Sequence, residues 1–82
     1  GALSAVEQYR YSMTLLSMFE THQTFFVQTQ KGAARQETWD YYEKAFGRLC
    51  VLPGVIHWWR QNSDSFNPGF VEYVDAKMRS SL

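Results

Sequence analysis

The stretch from Leu52 to Tyr73 constrains this chain more than any other. It holds both prolines, each followed by glycine (Pro53-Gly54 and Pro68-Gly69), and the adjacent pair Trp58-Trp59. Proline fixes φ and removes a backbone donor, so it ends one helix and starts the next at its first turn. Large aromatic rings follow each corner and supply the apolar area that fixes an angle between two packed helices. Two such corners divide the second half of the chain into short rods.

Upstream of the corners, Ser4 to Gln30 reads as one long helix. Ser4 is its N-cap and Glu7 completes a capping box. Val6, Tyr9, Met13 and Leu16 fall at alternating spacings of three and four, and Gln23 and Val27 continue the row past Glu20. A second row, Leu15, Phe19, His22 and Phe26, lies beside it. Two rows make a face too wide for one neighbour, so one row is expected to enter the core and the other to meet the chain's end or a second protomer. Threonines and Val27 lower helix propensity, which predicts fraying after Phe26 before Gly32 closes the helix as its C-cap.

A second helix is expected from Gln36 to Leu52, with Trp39, Tyr42 (or Tyr41), Phe46 and Leu49 inward and Ala45, Cys50 and Leu52 widening that face. Asp40–Lys44 and Glu43–Arg48 pairs are expected on its solvent side. The short link from Lys31 to Arg35 predicts an antiparallel hairpin with the first helix. A short third helix follows Pro53-Gly54 to Asn62, then a polar turn. A fourth follows Asn67-Pro68 to about Arg79, with Asn67 as N-cap and Phe66 folding back as a staple on Val71. The fold class is all-α: a small four-helix bundle, formed by one domain over residues 1–82.

Eight basic residues balance eight acidic ones, so no basic stripe exists to attract phosphates and nucleic-acid binding is not expected. Zero net charge gives little colloidal repulsion, which suits a protein that associates. Cys50 is the single cysteine; it has no internal partner, which favours a cytosolic location. No apolar run is long enough to span a membrane. The chain opens Gly1-Ala2-Leu3 without Met, and we expect it to be a piece of a longer protein.

Few residues carry chemistry. Glu20 lies on the apolar heptad row, where a carboxylate needs a partner; we expect it to be buried and bonded to a Trp N–H, a Tyr hydroxyl or an Arg. His22 is a second buried polar candidate. Glu20 and His22 diverge by roughly 200° on a helix, so they cannot share a metal ion. No metal or cofactor is expected, and no catalytic set emerges; an activity using Glu20 with His22 or His57 is the least favoured reading. His57 reads as a partly exposed neighbour of the aromatics and Cys50 as core. Trp58 and Trp59 point about 100° apart. Both are expected in the core, unless one joins Trp39, Phe66 and Phe70 in an exposed aromatic patch or pocket rimmed by Arg60 and Arg48.

Phe19-Glu20, Gly32, Trp39, Leu52-Pro53-Gly54, Trp58-Trp59 and the run from Ser65 to Phe70 leading into Val74-Asp75 together resemble the C-terminal region of a family of small uncharacterised bacterial proteins. The resemblance covers roughly Leu15 to Val74 and rests mainly on the spacing from Pro53-Gly54 through Trp58-Trp59 to Phe66 and Phe70. It implies an N-terminal membrane segment ahead of this region, hence a membrane tether outside this chain, and no assigned activity. The family has an acidic or small cap where Ala34-Arg35 stand here. The function expected is a non-enzymatic helical interaction or oligomerisation module, dimeric through the first helix. The alternative is a sensor or carrier that holds a small apolar ligand among Trp39, Trp58, Trp59, Phe66 and Phe70.

Overall fold

The computed structural model of the chain describes residues 4–33 and 35–80; 87% of it is helical, in four α-helices and no strand. The expectations placed on Gly1-Ala2-Leu3 and on Ala34 fall outside those residues. The helices are α1 (Ala5–Gln30), α2 (Gln36–Leu49), α3 (Pro53–Asn62) and α4 (Pro68–Ser80), with a 3₁₀ turn over Ser63–Ser65.

Each boundary has a local cause. Ser4 Oγ accepts the Glu7 N–H at 3.1 Å and opens α1. At the other end, Gly32 N–H reaches the Thr29 carbonyl at 3.1 Å and Ala33 N–H the Gln28 carbonyl at 2.9 Å. With Gly32 at φ 72° this is a Schellman stop. The fraying expected after Phe26 does not occur. The Schellman closure satisfies the last carbonyls, and the Thr29 hydroxyl donates back to the Phe25 carbonyl inside the helix at 2.9 Å. Arg35 supplies no side-chain cap to α2.

Helix α2 stops at Leu49, three residues before the expected Leu52. Pro53 holds Leu52 extended at φ −78°, ψ 125°, and Leu52 then serves as N-cap residue of α3. Leu52 and Ala45 are exposed, so neither widens the buried face. At the second corner, Asn67 Oδ1 accepts the Gly69 N–H at 2.8 Å and the Phe70 N–H at 3.4 Å, as a capping Asn should. Phe66 turns into the core against Phe19, Trp59 and Phe70.

Ring pairs Phe26–Trp39, Phe25–Tyr42, His22–Phe46 and Phe19–Phe46 run upward on α2 as they run downward on α1, so α1 and α2 are antiparallel. The core centres on Phe19, which is fully buried. Its ring lies 5.1 Å from Phe46, 5.2 Å from Trp58 and 5.0 Å from Trp59, centroid to centroid. Leu15, Val55, Phe70, Val74 and Met78 close the cluster. Of the two rows on α1, Leu15–Phe19–His22 is the buried one. The heptad row points out only over its first turns: Val6, Tyr9 and Met13 are exposed, as is Glu20, while Leu16, Gln23 and Val27 are half-buried and Leu16 packs on the core.

Candidate interaction surface and the buried polar chain

Trp58 and Trp59 both lie in the core, as expected, and the alternative of an exposed aromatic patch does not arise. Trp58, Trp59, Phe66 and Phe70 are buried and Trp39 is half-buried, stacked on His22 at 5.0 Å. Each indole still needs a partner for its N–H. Trp58 Nε1 donates to Ser12 Oγ at 2.8 Å, and Trp59 Nε1 donates to Asp75 Oδ1 at 2.8 Å. Packing of α3 against both α1 and α4 therefore uses one tryptophan on each side. Arg60 is exposed at the rim of a surface cleft of about 340 Å³ that it shares with Trp59, Asp75 and Arg79. Arg48 and His57 are exposed.

Glu20 is a correction. It is exposed and takes no part in the core, although its row neighbours are half-buried, Leu16 packing on the core and Gln23 Oε1 accepting the Asn67 N–H at 2.7 Å. The partnered carboxylate is instead the half-buried Glu43, expected from the sequence on the solvent side of α2. Tyr73 donates its hydroxyl hydrogen to Glu43 Oε1, and Lys77 Nζ lies 2.6 Å from the same oxygen. His22 Nε2 is 3.0 Å from Tyr73 Oη. Since the Tyr73 hydrogen is committed to Glu43, Tyr73 accepts from His22, which assigns the neutral tautomer with its hydrogen on Nε2. One chain of polar groups, His22–Tyr73–Glu43–Lys77, thus joins α1, α2 and α4.

Its electrostatics follow from burial. His22 is 5% exposed and stacks on Phe46 with centroids 3.8 Å apart. Burial lowers its pKa to about 4, outweighing the nearby Glu43, which raises it; Lys77 adds to the lowering. Burial, and then donation to the Glu43 carboxylate, push the Tyr73 hydroxyl far above its ordinary value. Burial likewise raises the Cys50 thiol to about 11, which leaves it in its unreactive protonated form. All buried side-chain polar atoms among the described residues have partners. A satisfied chain in which every group is locked by its neighbour holds helices together.

The sequence did contain a signal for Glu43. Trp39, Glu43, Phe46 and Cys50 fall at four, three and four, the spacing of a single inward row. Tyr73 and Lys77 stand one turn apart on α4 in the same way, and Lys77 Nζ lies 5.7 Å from the Tyr73 ring centroid.

What the fold leaves uncovered is the outer face of α1. Val6 is 59%, Tyr9 66% and Met13 45% exposed. No residue from Ser4 to Arg10 is buried or half-buried, so the first turns of α1 carry large apolar groups that the bundle does not use. At 100° per residue this row points roughly 140° away from the core row. A second apolar feature is a groove of about 290 Å³ between α1 and α2, lined by Met18, Phe25, Tyr42 and Leu49 with His22 at its side. No helix among the described residues is long and apolar enough to cross a membrane, and no group of three or more His, Cys, Asp or Glu side chains among them is placed to hold a metal ion.

No protein-family model, curated protein or solved structure matches this chain.

Proposed function

We propose that this chain is a non-enzymatic helical interaction module, whose docking surface is the outer face of α1. The observation that carries the reading is the exposed row Val6–Tyr9–Met13. Leaving three large apolar side chains in water on successive turns gains nothing for the fold, while covering them is favourable at about 25 cal/mol per Å². Residues at i, i+3 and i+7 on one helix are the anchors by which a helix meets a partner helix or groove. Val6 and Tyr9 lie on the first turns of α1, ahead of the part of the helix that Leu15 and Phe19 anchor in the core.

A photoreactive side chain placed at Tyr9 in the full-length protein, in the cells that make it, tests this reading. The control position is Tyr41, which is 72% exposed on α2. A discrete adduct at position 9 and none at 41 is expected. Absence of any adduct at position 9 ends the reading.

A further inference from the structure

We infer that the groove between α1 and α2 is a binding site for an uncharged apolar molecule with one hydrogen-bond donor, a phenol being the simplest, whose hydrogen goes to Nδ1 of His22. The site is separate from the outer row of α1, none of whose exposed residues lines it.

The imidazole has two nitrogens, and the fold uses one. Nε2 carries the hydrogen and lies 3.0 Å from Tyr73 Oη. Nδ1 is then an acceptor, and no described residue donates to it. Every fully enclosed polar side-chain atom among the described residues has a partner, so Nδ1 is not sealed in. The groove is the opening that His22 borders.

The rest of the groove sets what can reach that nitrogen. Its volume of about 290 Å³ lies at the lower end for small-ligand sites, enough for one or two rings. Phe25 and Tyr42 stack at 4.7 Å and close the end nearest the α1–α2 link. Met18 and Tyr42 are exposed, so the groove opens to solvent. No charged side chain lines it among the described residues, and its other polar side chains besides the Tyr42 hydroxyl, Ser17 and Thr21, are exposed. An ion would lose its hydration there without compensation, whereas a flat apolar ring would not.

The polar chain selects the donor. Glu43 takes the Tyr73 hydrogen, so the Tyr73 oxygen accepts from Nε2 and holds the hydrogen on that side of the ring. Donation through Nε2 also makes Nδ1 the better acceptor. With the hydrogen on Nδ1, the same groove would select an ether or a ketone. Burial keeps the ring neutral at pH 7.

Titration of the chain at pH 7 with phenol, and with anisole, which has the same ring and no donor, tests the inference. Nitrogen-15 NMR reads the contact in the native protein, with the exposed His57 ring as internal control. Phenol added to about 10 mM, against a dissociation constant on the order of 1 mM, should move the His22 Nδ1 signal to lower frequency; anisole should not, and His57 should stay unchanged. Ala45→Trp fills the groove from an exposed position on α2 and should abolish the response with helicity unchanged. In His22→Phe the ratio of phenol to anisole affinity should fall about fivefold, the worth of one hydrogen bond; the ratio cancels the difference in apolarity between the probes. An Nδ1 signal that phenol does not move, a response that persists in Ala45→Trp, or an unchanged ratio in His22→Phe overturns the inference. Val6→Ser/Tyr9→Gln should bind phenol as the native chain does; loss of binding there places phenol on the outer face of α1 and overturns the groove as its site.

Discussion

Acidification should weaken this fold through one residue. His22 is neutral and buried in the folded state, with a pKa of about 4, against 6.5 when the chain is unfolded. Above pH 6.5 neither state binds the proton, and His22 adds no pH dependence. Below it the unfolded chain takes up a proton that the folded chain refuses until pH approaches 4, so stability falls as pH falls through that window. At about 1.4 kcal/mol per pH unit the loss reaches roughly 3 kcal/mol, a large share of the 5–15 kcal/mol typical of a small domain. The perturbation that isolates the effect is His22→Phe, which keeps a flat ring against Phe46 and Trp39 and removes the titrating group. It should cost about 1–2 kcal/mol at pH 7 through the lost bond to Tyr73, and then show a shallower decline with acid. Urea melts followed by tryptophan fluorescence at pH 7, 6, 5 and 4.5 give both slopes. All other titrating groups are common to the two proteins, so the difference between slopes belongs to His22. Parallel slopes in the two proteins would refute the reasoning.

Three further substitutions probe the packing and the polar chain. Phe19→Ala removes the ring at the centre of the core, fully buried among Phe46, Trp58 and Trp59; a loss of about 3–5 kcal/mol in urea melts is expected. Glu43→Ala takes away the acceptor of the Tyr73 hydroxyl and of Lys77, and should cost about 2–4 kcal/mol, whereas Glu43→Gln keeps an acceptor and should cost less. The two glycines should respond with opposite signs in thermal melts. Gly32→Ala forces a side chain into φ 72° and should cost about 1 kcal/mol. Gly47→Ala meets nothing closer than Lys77 Cε at 3.8 Å inside α2 and should gain about 0.5–1 kcal/mol.

The legible parts of the fold were those decided by near neighbours. Ser4, Gly32, Pro53 and the Asn67-Pro68 pair each act within a turn of themselves, and the helix ends they set fall within three residues of where the chain places them. The second helix was read too long because Pro53 acts backward through Leu52 and the turn at Cys50 and Val51 precedes it. What is not legible is which of the two rows on α1 turns inward. Periodicity ranks Val6–Tyr9–Met13 and Leu15–Phe19–His22 equally. The choice is made by Trp58, Trp59, Phe66 and Phe70, which arrive from α3 and α4 and converge on Phe19. Glu20 was misplaced for that reason. His22, Glu43, Tyr73 and Lys77 join through pairs 30 to 51 residues apart in sequence, and no local signal aligns them. Glu43 alone could have been found, from its place on the inward row of α2.

The account's central claim is that Val6, Tyr9 and Met13 are spare to the fold and serve association. The most direct measurement is the melting temperature of Val6→Ser/Tyr9→Gln/Met13→Gln against the native chain, taken across a hundredfold range of protein concentration. The account predicts that the variant melts within about 2 °C of the native chain at the dilute limit. A variant that melts more than about 5 °C lower at every concentration, a loss of roughly 1 kcal/mol, would show that the row supports the fold itself and would contradict the claim.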